Sequence, residues 1–349
     1  MTDTETHTAS RPAPSDLRAM QRRIGWFQGS SYDISATCNL TCEGCLFFAR
    51  ADVSDIPQGR DADWARLFAA EAARGVNFAY IAGAEPSMVP TRLRAAWDHI
   101  KAGVIFTNGT RAIDPAIGYR IHVSLWGLGD TSTSLRGADV TAKALRLYAR
   151  DPRAVFSFVI TAANIHEIVP VARLCADHGA RLTYSYFSPT DLYQGRDQAT
   201  TQAGTAEAGD YMRLDDDLRM GPAEFADARA QIVTAMGQFP DTVRYSLHYN
   251  DWITQPDDRL WQLDAQGIAV DCGNRLSETH RHYAADATPN VGKCCTPNID
   301  CAECRAYAMG MGTYVSRLRA FRHERAAWLE GLRIWFELFM PLEEQTGTV

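Results

Sequence analysis

The chain has 349 residues, 46% of them hydrophobic and 22% charged, a length that supports one large core plus a small appendage. Its formal net charge of −7 argues against non-specific nucleic-acid binding, which draws its affinity from a basic face. No apolar run approaches the roughly 18–20 residues of a membrane span, and the polar start MTDTETHTASRPAPSD lacks the apolar core of a signal peptide. Nine cysteines in a chain with no export signal point to metal or redox chemistry in a reducing cytoplasm rather than to disulfides.

Residues 1–15 have little to bury and read as a disordered tail, followed by a short helix over Asp16–Phe27; together 1–30 precede the main body. From Tyr32 onward, short apolar strands alternate with helical stretches, the pattern of a parallel sheet with crossover helices. The expected strands are Tyr32–Ala36, Phe78–Ala82, Val104–Thr107, Ile121–Leu125, Val155–Thr161 and Leu182–Phe187. Between them come helices over Asp61–Arg74, with Asp61 or Asp63 as cap, and over Thr91–Ile100, Val140–Ala149 and Ile165–His178. Six such units predict an α/β fold, a partial (β/α)6 TIM-like barrel over 31–240, short of the eight units of a closed barrel.

Residues 189–220 are polar and aperiodic, as a functional lid or a disordered loop would be. Pro222–Phe239 reads as a helix and Val243–Tyr249 as a further strand. A small cysteine-rich extension occupies 241–315 and a terminal helix 316–349. That helix is amphipathic from Ser316 to Phe339, with Leu318, Phe321, Trp328, Leu332, Trp335 and Leu338 as core contacts.

Cys38, Cys42 and Cys45, in CNLTCEGC on the loop after the first strand, carry the chemistry. Three thiolates in C-x3-C-x2-C can hold three irons of a 4Fe–4S cluster and leave the fourth iron open to a small molecule. A structural zinc site, the other reading of clustered thiols, wants four ligands, usually as two close pairs, and no partner pair lies nearby. Directly after the second strand comes Ala82-Gly83-Ala84-Glu85-Pro86, a turn with little side-chain bulk that can bring backbone groups and a carboxylate to a ligand. Both strings fall at strand C-termini, on the rim where α/β proteins bind ligands.

The cysteine triad followed by this turn resembles the radical S-adenosylmethionine (SAM) superfamily, whose GGEP motif Gly83–Pro86 matches except at Ala84. The resemblance implies that the methionine end of SAM chelates the open iron, with Glu85 nearest its ammonium. One-electron reduction by a flavodoxin or ferredoxin would then yield a 5′-deoxyadenosyl radical that abstracts hydrogen from substrate. Phe106–Thr110 is similar to the superfamily's TNG turn, Ser124 occupies a SAM-contacting strand position, and Leu135-Arg136-Gly137 resembles its (I/L)RG string. Asn164 and Glu167 match an N-x-x-E pattern. On this resemblance Gly83, Ala84, Glu85, Pro86, Ser124 and Arg136 bind the cofactor. Gly44 stands where relatives commonly carry an aromatic residue bordering the adenine, which leaves that contact unassigned.

Five further cysteines follow in the order Cys272, Cys294-Cys295, Cys301-x-x-Cys304. Four of them make a complete thiolate set for an auxiliary 4Fe–4S cluster, although zinc accepts the same ligands. The order resembles the twitch or reduced SPASM extensions of radical SAM enzymes. Successive side chains in an extended segment face opposite ways, so one of Cys294 and Cys295 is spare; Cys294 is the expected ligand, beside Cys272, Cys301 and Cys304. The spare thiol is a buried small hydrophobe or a hydrogen-atom donor. Cys175 reads as an inert core thiol, and His280 and His282 as solvated surface. A single auxiliary cluster, and about 30 residues before the first strand, too few for a leader-peptide domain, favour a small-molecule oxidoreductase acting on a sugar, aminocyclitol or related polyol. The alternative is a peptide- or protein-modifying enzyme that crosslinks or epimerises residues. Neither nucleic acid nor membrane is an expected partner.

Overall fold

The apolar strand segments pair side by side in chain order. The computed structural model describes residues 27–49, 56–195, 210–214, 217–255, 260–273, 279–290, 299–318 and 324–340. Its strands are β1 (Gly29–Asp33), β2 (Phe78–Ala82), β3 (Gly103–Thr107), β4 (Arg120–Leu125), β5 (Ala154–Ile160), β6 (Leu182–Tyr186) and β7 (His282–Tyr283). They lie in the order β6-β5-β4-β3-β2-β1-β7, with every neighbouring pair parallel. An unbroken run from β1 to β6 is the winding of a barrel; a doubly wound sheet reverses direction partway. The fold is therefore an open, partial (β/α)6 TIM-like barrel, extended at the β1 edge by β7.

The helices are α1 (Asp61–Ala73), α2 (Pro90–His99), α3 (Gly129–Arg136), α4 (Thr141–Tyr148), α5 (Ile168–Asp177), α6 (Asp191–Gln194), α7 (Pro222–Gln238), α8 (Leu247–Ile253), α9 (Tyr307–Leu318) and α10 (Arg325–Phe339). Helix α1 buries Trp64, Phe68 and Glu71, the i, i+4, i+7 stripe of an amphipathic helix. At its start the Arg60 amide donates to the Asp63 carboxylate (3.3 Å), so Asp63 closes the cap from inside the first turn while Arg60 is the N-cap. Among the described residues no helix is long and apolar enough to cross a membrane.

Alternation along β4 separates two environments. Ile121, Val123 and Leu125 are fully buried, and Val123 lies towards Ala144 of α4, both within 2.8 Å of where a side chain on Gly109 would stand. Arg120 and His122 face the other way, onto the last turn of α10. Arg120 donates to the Glu337 carbonyl (2.9 Å), and His122 Nε2 donates to the Leu338 carbonyl (2.7 Å). Helix α10 thus packs on this face of the sheet near the start of β4.

Three expectations need correction. Val243 makes only an isolated parallel bridge to Leu182, and the chain then turns into α8, because the Ser246 side chain accepts the Tyr249 amide and caps a helix. The continuous helix from Ser316 is instead two helices, α9 and α10; Trp328, Leu332, Trp335 and Leu338 are buried as expected, while Phe321 lies outside the described residues, as does Asp16–Trp26. His280 and His282 are not solvated: they are 8% and 5% exposed. The two-residue β7 stays paired because its flanking groups are anchored. Tyr283 stacks on Tyr32 (5.5 Å, 6°) and donates to buried Glu71 (2.8 Å), while Ser31 Oγ and His280 Nε2 lie 3.0 Å apart.

The carbonyl acceptor means that Nε2 of His122 carries a proton, and the buried Nδ1, which has no hydrogen-bond partner among the described residues, favours the neutral Nε2–H tautomer. Burial, first, holds its pKa near 3, against 6.5 in the unfolded chain. The unfolded chain therefore binds this proton first, and the stabilisation is complete above pH 6.5 and declines as pH falls towards 3. Each unit of pH in that window should cost about 1.4 kcal/mol through this residue. Urea midpoints measured between pH 7 and 4.5 should fall more steeply for the wild type than for His122→Gln; parallel slopes would refute the neutral buried imidazole.

Candidate functional site

The loop after β1 is built against the ends of β2 and β3. The Ile34 amide donates to the Ala82 carbonyl (3.0 Å) and the Ala84 amide to the Ser35 carbonyl (2.8 Å), which carries the strand pairing past the strands themselves. Gly83 makes this possible: at φ +112°, a Cβ there would lie 2.8–2.9 Å from the Ser35 oxygen and nitrogen. The predicted Gly83–Pro86 turn and the cysteine loop therefore abut.

Glu85 locks the arrangement. Its Oε1 accepts from the Ser87 amide (2.9 Å) and from Thr107 Oγ1 (2.6 Å), and its Oε2 accepts from the Asn108 amide (2.7 Å). The carboxylate is 1% exposed. It is therefore engaged as a strut between β2 and β3, which differs from the expectation that it faces a ligand's ammonium. Asn108 in turn donates its side-chain amide to Asn39 Oδ1 (2.9 Å) and to Cys38 Sγ (3.6 Å), and Thr110 bonds Asn39. The predicted TNG turn and the first cysteine are thus in direct contact.

The far side of the loop rests on α3 and on residues 210–214. The Glu43 and Thr41 amides donate to the Leu135 (2.8 Å) and Arg136 (3.3 Å) carbonyls, and the Gly44 amide donates to the Tyr211 carbonyl (2.7 Å). Gly44 has φ +60°, and a Cβ there would lie 2.5 Å from the Phe187 ring. This is the physical reason that the position before Cys45 carries no aromatic residue: Phe187 and Tyr193 already occupy that space.

All three cysteines are partly buried. Desolvation, first, raises the Cys38 thiol, with Cys42 and Glu85 adding repulsion; burial and then Cys42 push Cys45 up to about 12. Tyr211 is raised by burial and by the field of all three cysteines, so it lies beside the whole triad. Phe47, Ile56, Ala84, Leu192 and Met212 complete an apolar wrap around Cys38, Cys45 and Phe48. Among the described residues no group of three or more His, Cys, Asp or Glu side chains is gathered tightly enough to hold a single metal ion. The all-sulfur donor set in an apolar wrap fits an iron–sulfur cluster instead, since a multi-iron cluster spreads its thiolates over separate irons.

Ser124 stands at the same rim, half-buried. Arg136 is buried and donates to the Ser124 carbonyl (2.7 Å), so it braces the end of β4. Asn164 and Glu167 are braces as well. Asn164 donates to the Trp126 and Val159 carbonyls, both at 2.9 Å, and Glu167 accepts the Leu128 amide (2.9 Å). Asp33, Ala82, Phe106, Ser124 and Val159 are half-buried positions near the strand ends, in a sheet whose other strand residues, Ser31 apart, are buried. Period-two alternation marks them in retrospect as the lining of the mouth.

Cys301 is buried, Cys272 and Cys304 are half-buried, and Cys175 is fully buried, its thiol pushed up to about 12 by desolvation. Cys294 and Cys295 lie outside the described residues. Trp261 donates to the Cys304 carbonyl (2.8 Å), and its neighbour Gln262 donates through its amide to Asp271 (2.9 Å), beside Cys272. The Cys301–Cys304 turn also reaches the barrel mouth. Thr190 bridges Ile299 and donates through Oγ1 to the Ala49 carbonyl (2.7 Å), while the Arg305 amide donates to Ser188 Oγ (2.9 Å). The segment after β6 is therefore a wall shared by the two cysteine groups.

No protein-family model and no curated protein matches the sequence. Solved structures do match in fold. Streptococcus suis SuiB bound to S-adenosylmethionine is 14% identical with a TM-score of 0.52, over 80% of this chain and 64% of that one. SuiB bound to precursor peptide SuiA is 14% identical with a TM-score of 0.51, over 85% and 68%. Native anSMEcpe with bound AdoMet is 11% identical with a TM-score of 0.52, over 89% and 96%. The chain thus spans about two thirds of the SuiB chain and nearly all of anSMEcpe. The shared architecture is the partial TIM-like barrel.

Two substitutions check this geometry without any cofactor. Glu85→Ala deletes three internal hydrogen bonds to a charged acceptor, at about 1.5–3 kcal/mol each before relaxation, and should lower the melting temperature of the apoprotein by many degrees. An unchanged melting temperature would show that Glu85 is free to face a ligand. Gly44→Tyr should be more damaging still, because it combines a left-handed backbone with a steric overlap on Phe187; a stable Gly44→Tyr protein would overturn the packing described.

Proposed function

We propose that this chain is a radical SAM enzyme in which Cys38, Cys42 and Cys45 hold a SAM-binding 4Fe–4S cluster. The observation that carries the reading is the direct abutment of the cysteine loop, the Gly83–Pro86 turn and the Asn108 turn at the mouth of an open parallel barrel. When bound, the cluster supplies one electron to SAM, releasing methionine and a 5′-deoxyadenosyl radical that takes a hydrogen atom from the substrate. The chain's own groups hold and orient. The Gly83 and Ala84 backbone, kept in place by Pro86 and the Glu85 strut, meets the methionine end of SAM. Ser124, fixed through its carbonyl by Arg136, faces the rest. The Asn108 amide against Cys38 sulfur tunes the potential of the site.

Cys272, Cys294, Cys301 and Cys304 are proposed as ligands of an auxiliary 4Fe–4S cluster, with Cys295 spare. The wall that the Cys301–Cys304 turn shares with the first loop supports an electron acceptor close to the substrate. For the substrate we favour a peptide or protein over the polyol that the sequence alone suggested, because SuiB, which shares the fold, is seen bound to its precursor peptide. The polyol oxidoreductase remains the second reading, supported by the single auxiliary thiolate set.

Anaerobically reconstituted wild type should bind about eight irons per chain, and the Cys38/Cys42/Cys45→Ala triple variant about half. Reduced wild type should convert SAM to 5′-deoxyadenosine, and Cys42→Ala should not. Retained cleavage in Cys42→Ala would sink the site, and zinc in place of iron in the triple variant would sink the auxiliary cluster. Deuterium appearing in 5′-deoxyadenosine from labelled peptide pools, and not from labelled polyols, would decide the substrate class; the reverse would restore the small-molecule reading.

A further inference from the structure

Thiolate ligands on a loop are only as well placed as the groups that hold the loop, and partners beyond the ligands themselves commonly set metal affinity. The cysteine loop has no regular secondary structure between Ile34 and Ala49, so its conformation comes from outside. One support is the Asn108 turn and another is the C-terminus of α3. The third comes from a part of the chain about 170 residues away in sequence, and no motif announces it. The Arg213 amide donates to Glu43 Oε2 (2.8 Å), and Glu43 is fully buried. The Arg213 guanidinium donates to Thr41 Oγ1 (2.7 Å), to the Asp210 carbonyl (3.0 Å) and to the Ser134 carbonyl of α3 (3.2 Å).

The same short segment contributes Tyr211, which accepts the Gly44 amide and stacks on Phe48 (4.8 Å, 20°). Residues 41, 43, 44 and 48 are thus all gripped by residues 210–214, on both sides of Cys42 and Cys45. Space for the grip is left by Gly137, where a Cβ would lie 2.3 Å from Thr41 Oγ1 and 3.7 Å from the Arg213 guanidinium. A guanidinium suits the task because its planar fork reaches three acceptors on three segments at once, which a lysine ammonium on a flexible stem does poorly.

We propose that Arg213 is a positioning residue for the cluster held by Cys38, Cys42 and Cys45, clamping the Thr41–Gly44 stretch of the cysteine loop against α3. The proposal rests on the reading that these cysteines hold a SAM-binding cluster. It assigns to the end of the long polar stretch a direct part in that cluster's properties, whatever the substrate.

The test uses the reconstituted full-length chain and compares wild type, Arg213→Ala, Arg213→Lys and Thr41→Val, which removes the hydroxyl acceptor at nearly constant volume. The readouts are the electron paramagnetic resonance signal that changes on adding SAM, which belongs to the open-iron cluster, and the rate at which that signal's iron is lost to a ferrous chelator. Arg213→Ala should lose iron about 10-fold faster, the low end of the range for such supporting partners, with altered g-values. Thr41→Val should shift both in the same direction, Arg213→Lys should restore little, and Arg213→Ala/Thr41→Val should be no worse than Arg213→Ala, because the two residues share one bond. Unchanged g-values and iron loss in the folded variants, even with a lower melting temperature, would reduce Arg213 to a stabilising contact and overturn the proposal. If Arg213→Ala fails to fold, Thr41→Val decides on the same readouts. A wild type without any SAM-responsive signal would instead overturn the cluster reading beneath it.

Discussion

The Glu85 carboxylate is the tie on which the position of the first cysteine depends. It follows β2, accepts hydrogen bonds from Thr107 and Asn108 at the end of β3, and through Asn108 reaches Asn39 and the Cys38 sulfur. Such a buried, fully engaged acceptor is strong in a low-dielectric setting and expensive to break. It converts the separate ends of β1, β2 and β3 into one rigid corner. The Cys38 sulfur, the backbone of the Gly83–Pro86 turn and the Asn108 donor to that sulfur are then all placed by one side chain.

The opposite half of the loop is held by different physics. There the contacts are backbone amides onto the last carbonyls of α3, which a helix end leaves without internal partners, together with the Arg213 fork and the Tyr211–Phe48 stack. The loop therefore has a polar corner under Cys38 and a mixed polar and aromatic cover over Cys42 and Cys45. The wrap of Phe47, Phe48, Tyr211 and Met212 lowers the local dielectric, and this desolvation raises the Cys38 and Cys45 thiols.

The concave side near the start of β4 is covered by helix α10. Helix α10 delivers its last carbonyls to Arg120 and His122, so these two inward side chains of β4 are each tied to the helix near the strand start, while Ser124, farther along the same row, stays half-buried. The Thr190 and Ser188 contacts bring the second cysteine-bearing segment to the strand ends.

The sequence by itself determined the parallel barrel and the place of the cysteine loop at the end of its first strand. Strand and helix periodicities are local, and C-x3-C-x2-C with a following Gly-Ala-Glu-Pro turn is a short-range pattern in which chemistry dictates spacing. The split terminal helix, the α3 helix of weak apolar periodicity and the two-residue β7 were not legible, because each is held by tertiary contacts: α10 against β4, the Arg136 bond to β4, and Tyr283 on Tyr32 and Glu71. For the same reason tertiary structure alone decided the roles of Glu85, Gly44 and Arg213. A motif shows which residue types a site requires, but whether a carboxylate faces a ligand or a neighbouring strand, and which distant arginine grips a loop, depends on groups far apart in sequence that only folding brings within hydrogen-bonding distance.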